Sequence, residues 1–304
     1  MDMAIEVNDL HKSYKDKAAV KGVSFSIARG EIFGIVGPNG AGKTTTLEIM
    51  EGLRKRSEGE VRVLDYDPEK DGRSLRQRIG IQFQSTSIQE RLKVGEALDL
   101  FASFYERKGD RAALIETLGL AQYLNTQFSK LSGGWKQRLT LALAALHGPD
   151  ILFLDEPSTG LDPQARRDIW ALIQQFRAQG MTIVLTTHYM EEAERLCDRV
   201  AMFRDGAIAA LDTPKRLVSQ FAAAKCLTFT SAEADLSVIC ALPSVERAHR
   251  DGEAVWVYAP DLQEVSRRLF AIAHERQWTM EAFRFEVGSL DDLFVNLGLE
   301  GETV

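Results

Sequence analysis

Residues 31–53 read EIFGIVGPNGAGKTTTLEIMEGL, an almost unbroken apolar run that breaks into a glycine-rich turn and then into helical periodicity. A strand buried on both faces has the composition of the first part. In the turn, Gly37, Pro38, Asn39, Gly40, Ala41, Gly42, Lys43, Thr44 and Thr45 satisfy G-x-x-x-x-G-K-[ST]. Glycines let backbone N–H groups turn inward around phosphate oxygens, and the helix that follows presents its positive end to the same anion. Lys43 is then placed to reach the β- and γ-phosphates and the Thr44 hydroxyl to bind Mg²⁺. This strand–turn–helix order predicts an α/β fold organised around a phosphate-binding loop.

A second apolar run, ILFLDEP (residues 151–157), ends on two acids. An aspartate at the mouth of a buried strand can hold Mg²⁺, directly or through water, so Asp155 takes that place with Thr44. Glu156 stands next to it, where it can orient or deprotonate an attacking water. A glycine turn or a strand-ending DEP is ordinary when alone. Together they describe a nucleotide hydrolase of the P-loop type, and at this level a switch, a kinase and a motor are all still open.

The surrounding chain fits that frame. AIEVNDLHKSY and AVKGVSFSIARGEIFGIVG alternate apolar and polar residues, as half-buried strands do, with Arg29-Gly30 as a turn. MTIVLTTH reads as another buried strand, and PQARRDIWALIQQFRAQG as a helix stopped by Gly180. Near LVSQFAAAKC the pattern changes to short strand candidates, CLTFTS and AVWVYAP, a helix over DLQEVSRRLFAIAHERQ, a strand TMEAFRFE, and a helix after Ser289, which has capping-box spacing to Asp292. RDGEAVW and HERQ read as solvated faces. The division expected is a nucleotide-binding domain over residues 1–220 and a small α+β domain over 221–304, joined near Ser219–Lys225.

Composition narrows the class. The chain of 304 residues is 45% hydrophobic and 27% charged, as soluble globular proteins are, and its net charge of −7 argues against a dedicated nucleic-acid binder. Cys197, Cys226 and Cys240 form no CxxC pair and no zinc spacing, which suits reduced thiols. MDMAIEVNDL lacks the basic start and apolar centre of a signal peptide, and no apolar run reaches the roughly 18 residues of a spanning helix.

The stretch LSGGWKQRLTLALAAL (residues 131–146) separates the open possibilities. Ser132 can donate a hydroxyl, Gly133 and Gly134 leave backbone amides uncovered, and a helix points its N-terminus outward behind them. That is a second anion site without any catalytic group. This stretch resembles the signature of the ATP-binding cassette (ABC) family, and it lies between the two phosphate motifs as in that family. The resemblance covers nearly all of residues 1–218. It implies the cassette architecture: a β-rich antiparallel subdomain, a mostly parallel core sheet with helices, and a helical subdomain.

The resemblance also implies roles. Tyr14 matches the aromatic that stacks on adenine. Gln84 matches the glutamine that senses Mg²⁺ and the attacking water; Gln82 stands nearby, and the family pattern favours Gln84. STGLDP matches the loop that crosses a dimer interface, with Asp162 as its carboxylate, and His188 in TIVLTTHYMEEAE matches the histidine that bonds the γ-phosphate. For the other four histidines, surface or core placement is expected. Trp135 departs from the pattern, standing where glutamine or glycine is usual; its size suits packing on a partner cassette or on the ribose.

In this family two cassettes pack head to tail, and each signature closes on the γ-phosphate held by the other. The implied cofactors are ATP and Mg²⁺, and the implied partners are a second cassette, as a homodimer, and a separate transmembrane permease. Direct nucleic-acid contact is not expected. The catalytic group is then Glu156, His188, Gln84 and Lys43. Ser132, Gly133, Gly134 and Asp162 act in trans, and Thr44, Gln84 and Asp155 are the metal ligands. No heptad coiled coil separates the motifs, as in DNA-repair cassettes, and there is one cassette rather than the two of ribosome-acting proteins. Transport is therefore expected over the alternative, a cassette ATPase remodelling a soluble complex. The segment STSIQERLKVGEALDLFASFYERKG resembles the part that touches the permease, and GSLDDLFVNLGL resembles the ending of cassette subunits in two-component exporters of the antibiotic-resistance and multidrug type. That places the chain in the cytoplasm, peripheral on the cytoplasmic face of the cell membrane through its permease.

Overall fold

In a computed structural model of the chain, residues 2–15, 17–84, 88–221, 226–286 and 289–296 are described. They form two compact units, one over the chain to Pro214 and one over Lys215–Gly298.

The first unit opens with two long strands, β1 (Met3–Tyr14) and β2 (Lys17–Ala28), and then β3 (Ile32–Val36), which runs into the glycine turn and α1 (Lys43–Met50). β4 (Glu58–Val63), α2 (Gly72–Arg76) and β5 (Ile79–Gln82) precede three helices, α3 (Val94–Ala102), α4 (Arg111–Thr117) and α5 (Gly133–Ala145). β6 (Ile151–Asp155), α6 (Pro163–Ala178), β7 (Thr182–Thr187), α7 (Met190–Leu196), β8 (Arg199–Arg204) and β9 (Ala207–Asp212) complete it.

Two sheets result. β2-β1-β4 is antiparallel, and its strands bury alternate residues as their sequence alternation predicts. The six-stranded sheet runs β5-β6-β7-β3-β8-β9, parallel except for β9. β3, β6 and β7 are buried at every residue, because sheets meet helices on both faces there; α1 packs on β6 and β7, and α7 on β3 and β7. One core joins the sheets, with Phe25 of β2 stacked on Phe33 of β3 at 5.3 Å between ring centroids. Each such fully buried large side chain contributes about 1.5–3 kcal/mol. α3 and α4 pack on α5, forming the helical subdomain, and α5 reaches β5. A Cβ at Gly80 of β5 would stand 2.1 Å from the Ala144 carbonyl oxygen of α5, so only glycine admits that contact.

The register matters more than the strand count. Val36 pairs with Thr187, Asp155 with Thr186, and Gln82 with Leu154, so the carboxyl ends of β3, β5, β6 and β7 finish nearly level. In open parallel sheets ligands bind at that edge.

α8 (Pro214–Phe221) begins on the last residue of the first unit and leads into the second, which holds β10 (Cys226–Thr230), α9 (Leu236–Cys240), β11 (Arg247–Asp251), β12 (Ala254–Tyr258), α10 (Leu262–Arg276), β13 (Glu281–Glu286) and α11 (Leu290–Asn296). From β10 to β13 this is βαββαβ, with sheet order β11-β12-β10-β13 and every pair antiparallel: the ferredoxin-like arrangement. Its core gathers Leu227, Phe229, Val255, Val257, Val265 and Leu269. β11 and α9 are additions to the sequence reading. β11 (RAHRD) is a polar edge strand, exposed at alternate residues, and part of RDGEAVW is strand β12 rather than a solvated face. α11 follows Ser289 as expected; residues 297–304, where the exporter-like ending finishes, lie outside the described residues.

Candidate functional site

The turn after β3 wraps around the Lys43 ammonium. Lys43 Nζ donates to the Gly37 carbonyl at 2.7 Å and to the Pro38 carbonyl at 3.0 Å. Gly42 has φ +101°, and a Cβ there would lie 2.5 Å from the Ala19 carbonyl oxygen, so the turn is pressed against β2 where no side chain fits. α1 starts at Lys43, which aims its first N–H groups back into the turn. Burial lowers the Lys43 pKa, and the Glu156 and Asp155 carboxylates pull it back up.

At the ends of β6 and β7 the acids take different surroundings. Thr186 Oγ1 donates to Asp155 Oδ1 and accepts from the Glu156 backbone N–H at 3.1 Å. Burial raises the Asp155 pKa, with the Thr186 bond opposing it. Glu156 has φ +50°, a conformation costing a non-glycine residue of order 1 kcal/mol or more. In a continuing strand two neighbouring acids would face opposite sides; the left-handed turn brings Glu156 to the same mouth as Asp155. Its Oε2 accepts from Gln84 Nε2 at 3.1 Å and from Thr159 Oγ1 at 3.1 Å, and its Oε1 lies 3.2 Å from His188 Nδ1.

One cavity of about 280 Å³ is lined by Tyr14, Asn39, Gly40, Gly42, Lys43, Thr44, Thr45, Gln84 and Glu156, with Lys17 and Ala19; Gly37, Pro38, Ala41, Asp155 and His188 do not line it. Tyr14 lies under two cations, Lys12 Nζ at 5.0 Å and Arg54 Cζ at 5.3 Å from its ring centroid. Gln82 is not part of this cavity. It is buried, its amide atoms have no partner among the described residues, and it lines a separate groove.

Ser132, Gly133, Gly134 and Asp162 do not line the cavity. Ser132 is the N-cap residue of α5, yet its hydroxyl makes no capping bond, and a Cβ at Gly133 would touch nothing within 4 Å. The chain's own packing therefore does not account for that serine hydroxyl or that glycine. Asp162 caps α6, accepting from the Gln164 and Ala165 N–H groups at 2.9 Å. Trp135 packs within its own subdomain: its ring lies 4.3 Å from Tyr123 and 4.7 Å beneath the Arg138 guanidinium, which pairs with Asp168 at 2.7 Å.

The groove, of about 580 Å³, lies beside β5 and is lined by Leu53, Phe83, Phe101, Phe104, Tyr105 and Leu143 among others. Phe83 and Phe104 are 48% and 61% exposed, unusual for phenylalanine. Neighbouring residues thus serve two places, Phe83 the groove and Gln84 the nucleotide cavity. Residues 85–87, where the permease-like segment begins, lie outside the described residues.

Thr186 and Thr159 escaped the sequence reading, as did Lys12 and Arg54 beside Tyr14. For Thr186 a signal existed: two threonines close a strand, TIVLTT, whose other places are nearly all apolar.

The family model of the ABC transporter family matches residues 20–159. The chain is 36% identical over 301 residues to the Nod factor export ATP-binding protein I of Paraburkholderia xenovorans (strain LB400), covering 97% of each. A solved ATP-binding subunit of an ABC transporter superposes with a TM-score of 0.66 and 28% identity over 72% of this chain and 93% of that one. A dimeric cassette in a post-hydrolysis state, bound to ADP and Pi, gives 0.61 and 28% over 69% and 98%.

Proposed function

The chain belongs to the ABC transporter family as an ATP-binding subunit with that family's ATPase site, and from this premise we propose that it powers a separate membrane permease, in the export direction, by pairing with a second copy around ATP. The adjacency of Phe83 and Gln84 carries the reading: an exposed apolar groove fit for a short helix of a permease stands one residue from the amide that holds Glu156. Export is supported by the name of the relative, and pairing by the dimeric cassette. No helix among the described residues is long and apolar enough to cross a membrane. Kinship with a transporter subunit supports placing the chain on the cytoplasmic face through its permease.

ATP sits on Gly37–Thr45 with its adenine against Tyr14. Lys43 exchanges its loop carbonyls for β- and γ-phosphate oxygens. Thr44, Asp155 and Gln84 offer hydroxyl, carboxylate and amide oxygens, a hard donor set that fits Mg²⁺ completed by phosphate oxygens; when bound, that ion neutralises charge on the transferring group. Glu156 accepts the proton of the attacking water and His188 steadies both the carboxylate and the γ-phosphate. Ser132, Gly133 and Gly134 of the second copy close on the γ-phosphate, with its Asp162 at the crossing loop. Hydrolysis removes the anion that joins the copies, the pair opens, and the permease resets. Residues 1–220 do this work; residues 221–304 form an accessory domain for pairing or docking.

Crosslinking from a cysteine at position 104, in cells expressing a candidate permease of about six spans, tests the reading. Adducts to the permease support it. Capture of soluble proteins alone, with no permease adduct, overturns it in favour of a cassette that remodels a soluble complex.

A further inference from the structure

Behind the catalytic pair lies a buried carboxyl with no assigned task. Glu192 of α7 is 0% exposed; its Oε1 accepts from Trp170 Nε1 of α6 at 2.7 Å, and its Oε2 has no hydrogen-bond partner among the described residues. Ser158, two residues after Glu156, is also 0% exposed, and its Oγ likewise has no partner among the described residues. The Ser158 and Thr187 hydroxyls both face the Glu192 carboxyl; they draw its pKa down while burial, the larger effect, raises it, and the Arg166 cation also draws it down. Thr187 in turn immediately precedes His188 and holds the turn, its Oγ1 accepting from the Tyr189 N–H at 3.0 Å.

A buried polar atom without a well-formed partner forfeits the hydrogen bond that it had in water. The Ser158 hydroxyl stands within reach of the Glu192 carboxyl without a well-formed bond to it, so any movement that aligns the two is favoured. The pieces they belong to are those that must agree for hydrolysis: the segment leaving Glu156, the turn carrying His188, and α6, which begins at Pro163 just after Asp162 and is held through Trp170.

We propose that Glu192 is a positioning residue for hydrolysis, which gathers the Ser158 and Thr187 hydroxyls as the cassette closes and so holds Glu156 and His188 in register. It touches neither nucleotide nor water. Its effect is to make the crossing loop and the histidine turn move as one body, so that arrival of the second copy at the loop is felt at the carboxylate. The assignment rests on the roles proposed above for Glu156 and His188.

The test uses the full-length chain, measuring ATPase kcat, KM for ATP and Tm. Glu192→Ala is expected to lower kcat about tenfold or more, the worth of one or two hydrogen bonds to a charged group, with KM within about twofold. Glu192→Gln, which keeps an acceptor for Trp170 and a donor or acceptor for Ser158, is expected to recover most of the loss. Ser158→Ala should lower kcat severalfold in the parent and change it less than about twofold in the Glu192→Ala background, because a lost partner cannot be lost twice. Parental kcat in Glu192→Ala, failure of glutamine to rescue, or independent multiplication of the two effects overturns the proposal. If Glu192→Ala does not fold, the same cycle is read with Glu192→Leu, which fills the space without a hydrogen-bonding group; additivity with Ser158→Ala there overturns the proposal. Glu156→Gln is run alongside: undiminished turnover there sinks the reading of the site itself, whereas its collapse together with an unaffected Glu192→Ala sinks this inference alone.

Discussion

Gln84 Nε2 donates to Glu156 Oε2 across 3.1 Å, so the carboxylate that we propose takes the proton from water is also the anchor of the chain leaving β5. Glu156→Gln keeps an acceptor for Gln84 and Thr159 but removes the base. It is expected to bind MgATP, to hydrolyse it at least about a hundredfold more slowly, and to accumulate as a pair in gel filtration. Parental turnover would contradict the role of Glu156.

Lys43→Ala removes the cation around which the glycine turn is folded. Binding of a fluorescent ATP analogue should weaken by about tenfold or more, since a charge-assisted contact to phosphate is lost. A variant with unaltered affinity and lowered kcat would assign Lys43 to the transition state alone.

Thr186→Val keeps shape and removes the hydroxyl that serves both acids. Groups that orient a metal ligand typically contribute about 10–100-fold to metal affinity or activity. The Mg²⁺ concentration for half-maximal ATPase should therefore rise with the loss of kcat. A Mg²⁺ titration superimposable on the parent's counts against the assignment of Asp155.

Glu51 closes α1 and is 2% exposed; burial first, then Asp155 and Glu48, raise its pKa from 4.5 to about 8. Between those values the folded chain keeps a proton that the unfolded chain has released. Stability is thus fully present at low pH and falls as pH rises through the window, by up to about 1.4 kcal/mol per unit. Glu51→Gln should flatten that slope and raise Tm above the parent's at pH 8. Parallel Tm profiles for the two proteins would show that Glu51 titrates normally.

Phe104→Glu places a charge at the most exposed of the groove's aromatics while leaving the nucleotide cavity untouched. Basal ATPase should persist and copurification with the permease should fail. Retained copurification would move the docking surface elsewhere.

Much of the site is legible in residue order because its parts sit at strand ends. EIFGIV, ILFLD and TIVLTT are buried strands, and the residues at or just past the end of each carry the chemistry, so motif and fold point to one place. Gln84 over Gln82 is different: both are glutamines near the end of one strand, and the residues alone do not rank them; the family resemblance favours Gln84, and in the structure Gln84 reaches Glu156 while Gln82 lines the groove. The packing of Trp135 is only half legible: Arg138 follows it by three residues on α5, but Tyr123 comes to it from outside that helix. β11 stayed hidden for a simpler reason. The inward positions of RAHRD are Ala248 and Arg250, one too small and one charged, so the strand prints no hydrophobic alternation.

In the second unit the first and last strands are neighbours, with Cys226 beside Glu286, so the backbone comes in and goes out at one spot. A mechanical load carried between those two residues would unzip the ladder one hydrogen bond after another instead of straining all of them together.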